Sequence, residues 1–383
     1  MNPFFALIRR LGPVLGGFAA ALLTPFPLPA AKVLPQEEAA AGWIHLFDGE
    51  TLFGWNPLGD VTWTVDAEGR LIAEKGTGGW IATSSQFADF ELIARIRLKS
   101  ESTAGLAVRA GLEGHPSENG STVIPLREPQ GDPPWREIRV KAEGPSVEVT
   151  VDGRPVEIEP GARRRGYIGV LFHTYHRRPE NRVEIAEVKL RPLNMKPIFN
   201  GRDLSEWNIL PDRKSKFAVV DGAINITDGN GQIETKGVYK DFVLQLDIIS
   251  NGEHLNSGVF FRGPVGVFWK GYESQVRNQW SGDDRTRPVD FGTGGNYGNQ
   301  PARVVIPSDH QWFTKTIIVD GPHAAIWVNG YLVSDFTDLR SISREDDGKN
   351  GYVPGPGTIH LQGHDPTTNL SFKNIRIQEY PAP

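Results

Sequence analysis

Apolar and polar positions in this chain alternate over short runs, and few stretches hold a helical period. Phe90-Glu91-Leu92-Ile93-Ala94-Arg95-Ile96 and Ile317-Ile318-Val319 illustrate runs of about five to eight residues with the period of half-buried strands. Asp152-Gly153 and Asn329-Gly330 stand between such runs and predict hairpin turns. Many short strands at even spacing, without a helical stretch of convincing length, predict antiparallel sandwiches or jelly rolls. The expected fold class is all-β: two tandem antiparallel jelly-roll β-sandwiches.

The number two comes from an internal repeat. Phe47-Asp48-Gly49, Leu52 and Trp55 return as Phe199-Asn200-Gly201, Leu204 and Trp207. Asp89-Phe90-Glu91-Leu92 returns as Asp241-Phe242-Val243-Leu244, and Gly105 to Arg109 as Gly258 to Arg262. Trp135 with Val151-Asp152-Gly153 matches Trp312 with Val328-Asn329-Gly330, in the same order. The copies are expected over 42–193 and 196–383, joined near Leu193-Asn194-Met195. So short a linker predicts that the sandwiches touch.

The copies are unequal. Arg109 to Trp135 spans 26 positions, whereas Arg262 to Trp312 spans 50. The second copy also gains residues between Asp335 and Thr358, where Asp346 to Gly351 reads as a solvated loop. Long loops on a rigid sandwich are where function concentrates, so chemistry is expected in the second copy.

Composition narrows the possibilities. A net charge of -5, with no basic stripe, argues against nucleic acid. The chain has no cysteine, which removes disulfides, thiolate metal sites and cysteine nucleophiles. Residues 1–31 read as a cleaved export signal: Arg9-Arg10, an apolar run from Leu11 to Leu23, and a small-residue region at Leu28-Pro29-Ala30-Ala31. A periplasmic or secreted protein with no membrane span in the mature chain is the expectation.

Three constellations could carry chemistry. If Gly271 to Val276 is a strand, Glu273, Gln275 and Arg277 share one face, followed by Asn278. A carboxylate beside an amide suits a sugar, although a solvated strand edge has the same composition. His360, Gln362 and His364 share a second face, with Asp365 behind them. Histidine suits proton transfer near neutral pH, and a structural histidine or a His/His/Asp metal site fits the same pattern. Asn256 and Arg262 fall on a third face with Gly258 and Phe260, where Arg262 could orient a sugar oxygen or pair with a carboxylate for structure.

Phe199 to Trp207, Asn256 to Arg262, Gly271-Tyr272-Glu273-Ser274-Gln275, Trp327 to Gly330, Leu361-Gln362-Gly363-His364 and Phe372 to Ile377 together resemble the 3-keto-disaccharide hydrolase family. The first copy resembles that family in its framework strands alone. The resemblance implies a concanavalin-A-like jelly roll whose concave face holds a glycoside oxidised at C3. It implies cleavage by C2 proton abstraction, β-elimination and hydration, with no cofactor; the sequence leaves a divalent metal open. His364 and Glu273 are then the catalytic acid and base. Asn256, Arg262, Gln275, Asn278, His360 and Gln362 are the substrate-binding residues. The alternatives are a lectin-like carbohydrate-binding protein and a cell-surface interaction module, since the fold serves either.

Overall fold

The computed structural model describes residues 33–99, 102–126, 134–174 and 181–381. The expected export signal lies outside the described residues. Among the described residues, one short helix, Gln36–Ala40, precedes strands that form four antiparallel sheets, two in each copy. Among the described residues, no helix is long and apolar enough to cross a membrane.

Each copy is a sandwich of an eight-stranded and a five-stranded sheet, and the strand order of one copy repeats in the other. In the second copy the five-stranded sheet runs Trp207–Ile209, Gly231–Thr235, Thr358–Gly363, Ser257–Gly263, Tyr272–Val276. Its counterpart in the first copy runs Trp55–Gly59, Gly78–Phe87, Gly166–Thr174, Ser102–Ala110, Thr122–Leu126. The last strand of the first copy is Arg182–Pro192, and the next strand begins at Lys196.

Alternation places the cores. In Phe90–Lys99 the inward residues Phe90, Leu92, Ala94, Ile96 and Leu98 join the first core, as Phe242, Leu244, Leu246 and Ile248 join the second. The hairpin turns hold Asp152-Gly153 and Asn329-Gly330 at positive φ, the backbone that matches the strand twist.

The two sandwiches touch. Val243, Ile318, Ala325 and Trp327 lie on the outer face of the second copy's eight-stranded sheet and belong to the first copy's core cluster. Trp327 Nε1 donates to His45 O at 2.9 Å, and Gln245 Nε2 to Gly42 O at 2.9 Å. That face of the eight-stranded sheet is thereby packed against the first copy, and the outer face of the second copy's five-stranded sheet is left for other work.

Candidate active site

Three neighbouring strands set that outer face. Ile233, Val259, Ile359 and Leu361 turn into the core, so Gln232, Glu234, Gly258, Phe260, His360 and Gln362 turn outward. Glu273 pairs with Phe260 and Gln275 with Gly258 on the edge strand. Two rows result: Glu234, His360, Phe260, Glu273, and beside it Gln232, Gln362, Gly258, Gln275. All six polar side chains in these rows are buried.

The long segment of the second copy buries them. Residues 293–297 run along the free edge of Tyr272–Val276: Tyr297 N donates to Glu273 O, and Gln275 exchanges backbone bonds with Gly294 and Gly295. Residues 264–270 close over the other side, where Gly266 N donates to Glu234 and Trp269 N to Gln232 Oε1. The segment read as a solvated loop at Asp346 to Gly351 is instead docked. Gly271 N donates to Asp346 O, Gly348 N donates back to Gly271 O, and Lys349 Nζ sits 3.5 Å from the Trp269 ring centroid and 4.8 Å from that of Tyr297. Loop composition misled here because the backbone pairing and the cation–π contacts are long-range.

Glu273 is a buried carboxylate on this face. Its carboxylate lies over Gly258, where a β-carbon would stand 2.4 Å from Oε1. Only 4% of the residue is exposed, and burial pushes its carboxyl up to about 7. The Lys349 and Lys315 charges and a hydrogen bond from the Trp269 side chain oppose that rise, while Asp290 adds to it. Such a carboxyl exchanges protons readily near neutral pH. Burial likewise pushes the Lys349 ammonium below its usual range, against the pull of Glu273 and Asp347.

Gln275 and Asn256 converge on Asp290. Asn256 Nδ2 donates to Asp290 Oδ2 at 3.0 Å; Gln275 Nε2 donates to Asp290 O at 3.0 Å and Oδ2 at 3.2 Å. Arg277 approaches the same carboxylate at 3.5 Å. Asn256 Oδ1, Gln362 Oε1 and Gln232 Nε2 are buried without a protein partner. Buried amide atoms left open on one face invite a hydroxyl-bearing ligand or water.

Of the other expected site residues, His360 shares this face, within 3.3 Å of Gln232 Oε1 and 3.5 Å of Glu234 Oε2, while Asn278 and Arg262 are tied into the fold. His360 leans away from Glu273: its Nε2 is 2.6 Å from Thr358 Oγ1, and the ring lies over Gly263. Burial lowers His360 to about 4, so it is neutral at physiological pH. Asn278 is buried and accepts from Thr293 Oγ1 at 2.6 Å, which ties it to the inserted segment. Arg262 was expected to face the sugar, but a bulge between Phe260 and Gly263 and a φ of 55° break the alternation there. Its guanidinium instead donates to Lys240 O, Val353 O and Asp241 Oδ1 inside the fold. Arg109 does the same in the first copy, donating to Ala88 O, Gly144 O and Asp89.

His364 is not paired with Glu273. It follows the end of Thr358–Gly363, its ring is 45% exposed, and Nδ1 contacts Asp365 Oδ2 at 3.0 Å. It stands beyond the last residue of that strand, where its backbone N donates to Thr368 Oγ1 at 3.0 Å. That is the rim of the face. The strand stops at Gly363, and alternation cannot be extended past a strand's end. Among the described residues, no three His, Cys, Asp or Glu side chains cluster as a metal site.

The first copy supplies an internal control. Counting through the paired strands from Arg109 and Arg262, Gln232, Glu234, His360 and Gln362 are replaced by Trp80, Ala82, Gly169 and Leu171. Glu273 and Gln275 are replaced by Val123 and Pro125. Trp80, Ala82 and Leu171 form a small apolar cluster of their own, with Val123 against it. The fold is the same and these polar side chains are replaced.

A separate cleft of about 610 Å³ lies between the copies, lined by Ser84, Tyr167, Asp320, His323 and Asp335 among others. Its carboxylates are already partnered, Asp335 by His323 and Ser84, and Asp320 by Arg165. Arg165 with Asp320 and Ser84 with Asp335 join the two sandwiches.

Sequence alternation alone had missed Gln232 and Glu234, although Gly231-Gln232-Ile233-Glu234-Thr235 carries the same period. Asp290, Trp269 and Lys349 reach the site through loops and left no local signal.

Comparison with solved structures finds a proposed glycosyl hydrolase from Parabacteroides distasonis ATCC 8503 at 21% identity, covering 49% of this chain and 94% of that one, with a TM-score of 0.40. A second from the same organism is 26% identical over 50% of this chain and 85% of its own, with a TM-score of 0.39. A carbohydrate-binding module from Bacillus subtilis matches at 14% identity over 36% of this chain and 95% of that one, with a TM-score of 0.29. No curated protein matches the chain. The family described as 3-keto-alpha-glucoside-1,2-lyase-like domains matches residues 42–174 and 194–378, one stretch in each sandwich. The chain belongs to that family of 3-keto-alpha-glucoside-1,2-lyase-like domains.

Proposed function

We propose that the second sandwich cleaves glycosides already oxidised to a ketone at C3, with Glu273 as the base. The observation that carries this reading is a buried carboxyl poised at about 7 on a polar face that the first copy has replaced with apolar residues.

The chemistry follows from the carbonyl. A C3 ketone acidifies the C2 proton. Ionised Glu273 takes that proton, and the C2–H electron pair moves into an enolate whose charge rests on the C3 oxygen. The enolate then collapses: the C1–C2 double bond forms, the C3 carbonyl returns, and the C1–O bond breaks. The departing alkoxide takes a proton, which protonated Glu273 can return. Water adds at C1 and a proton goes back to C2, leaving a 3-keto sugar and the freed alcohol. A cation near the enolate oxygen lowers the barrier, and Lys349 is the charged donor facing Glu273 from solvent's side. Gln362, Asn256 and Gln275 supply the directional hydrogen bonds a pyranose needs.

His364, at the rim, contacts the aglycone side in this reading. The first sandwich supports the eight-stranded sheet of the second and does no chemistry. A carbohydrate-binding protein without turnover is the second reading, supported by the concentration of buried amides on this face. Incubation with a 3-keto-glucoside separates the two. The lyase reading expects a transient conjugated enone absorbance and free alcohol; binding without either product supports the lectin reading.

A further inference from the structure

Lys315 lies wholly inside the second sandwich, on the inward face of Phe313–Asp320 between the two sheets. Its neighbours in the inward row are Phe313, Ile317 and Val319. An ammonium in such a place is costly unless every proton is satisfied. Here each is: Nζ donates to Ser274 Oγ at 3.0 Å, Ser274 O at 3.2 Å and Gln275 O at 2.8 Å. All three acceptors belong to the strand that carries Glu273 and Gln275. Ser274 turns inward while its two neighbours turn outward, so the lysine grips the strand from behind the site.

The first copy shows that the fold does not need it. The same register that aligns Glu273 with Val123 aligns Ser274 with Ile124 and Lys315 with Ile138. Ile124 and Ile138 are ordinary members of that copy's apolar core. The buried lysine and its serine are therefore present in the copy that has the carboxylate and absent from the copy that lacks it.

We propose that Lys315 is a positioning residue for the Glu273 site, holding from within the core the strand that presents Glu273 and Gln275 and placing its amine behind that carboxylate. This rests on the reading of Glu273 as the reactive group. The charged groups facing Glu273 are Lys349 from the 346–351 segment, Asp290 from the inserted segment and Lys315 from the opposite sheet. Lys315 is the one that solvent does not reach. Burial lowers it to about 7 and Glu273 opposes that, so the two groups influence each other through the strand.

The test is Lys315→Met in the full chain, beside a second variant, Lys315→Ile with Ser274→Ile, which installs the first copy's pair. Titration of Glu273 is read by carboxyl carbon NMR, with Glu273→Gln to assign the signal, and needs no substrate. The expected result is that both variants fold and bind protons at Glu273 about twofold to fivefold more tightly. Turnover of a 3-keto-glucoside should then need higher pH, with kcat lowered more than KM is changed. An unmoved Glu273 titration in both variants overturns the proposal, and so does failure of both to fold, which would make Lys315 a purely structural residue. Should the titration move while wild type shows no turnover, the positioning role stands and the lyase reading falls.

Discussion

A β-carbon placed on Gly258 would stand 2.4 Å from Glu273 Oε1 and 2.8 Å from Glu273 Cγ, so the absence of a side chain at 258 is what lets the carboxylate lie where it does. Gly258 is not held at positive φ, so alanine there meets no backbone penalty of its own. Gly258→Ala should therefore leave the fold largely intact and displace the carboxylate by about an ångström. Displacements of that size cost on the order of a hundredfold in rate. Steady-state kinetics beside a thermal melt checks this; unchanged kcat would mean that the carboxylate's position is unimportant.

Arg262 and Arg109 should behave alike, as framework residues. Each is buried, and each donates to two main-chain carbonyls and to an aspartate. Arg262→Met should destabilise the protein by about 3 kcal/mol, the cost of leaving buried acceptors and a carboxylate unpaired. Arg109→Met should do the same. Denaturant unfolding measures both, and in the surviving folded protein neither change should alter KM. A large rise in KM with Arg262→Met alone would return that residue to the site.

The pH dependence of stability has a definite sign. Glu273 is raised to about 7 in the fold, so its contribution is full below its unfolded value and is lost as pH rises through 7. Lys315 is lowered to about 7, so its contribution is full above its unfolded value and is lost as pH falls through 7. Together they place a minimum near pH 7. Glu273→Gln combined with Lys315→Met should remove it, so the gain in melting temperature over wild type should be largest at pH 7 and smaller at pH 5 and 10. A gain that is flat across those three values would contradict the placement of both groups.

Much of this was legible in the sequence, and the losses have physical causes. Alternation and the Asn329-Gly330 turn signal carry the strands because side-chain direction and turn φ are local properties. The internal repeat carries the two-copy organisation, since one fold must satisfy the same packing twice. Glu273 with Gln275, and His360 with Gln362, were placed on their faces by period two alone. Arg262 escaped because one bulge reverses the facing of everything after it. His364 escaped because its strand ends one residue earlier. Lys315 looked like an ordinary polar residue in Phe313-Thr314-Lys315-Thr316-Ile317, and only the sheet opposite reveals what it holds.

Trp269 covers Glu273, clamped by Lys349, while the Trp269 side chain itself remains 46% exposed at the residue level. A sugar reaching the carboxylate must displace or stack on that indole. Binding should change tryptophan fluorescence in wild type, and Trp269→Phe should abolish most of the change. Lys349→Met should lower kcat about a hundredfold to a thousandfold, as loss of one donor to a developing oxyanion does. If Lys349→Met leaves kcat unchanged, the cation serves the clamp alone.

The most direct measurement of the central claim isolates the first chemical step. A 1,5-anhydro-3-keto sugar has the C3 carbonyl and the C2 proton but no group to lose from C1, so abstraction can be seen without cleavage. In deuterated water, proton NMR should show the C2 signal disappearing with wild-type protein. His364→Ala should retain that exchange within about tenfold, and Glu273→Gln should slow it by at least a hundredfold, the range expected for removing a general base. Exchange at equal rates in wild type and Glu273→Gln would contradict the account, and loss of exchange in His364→Ala alone would move the base to the rim.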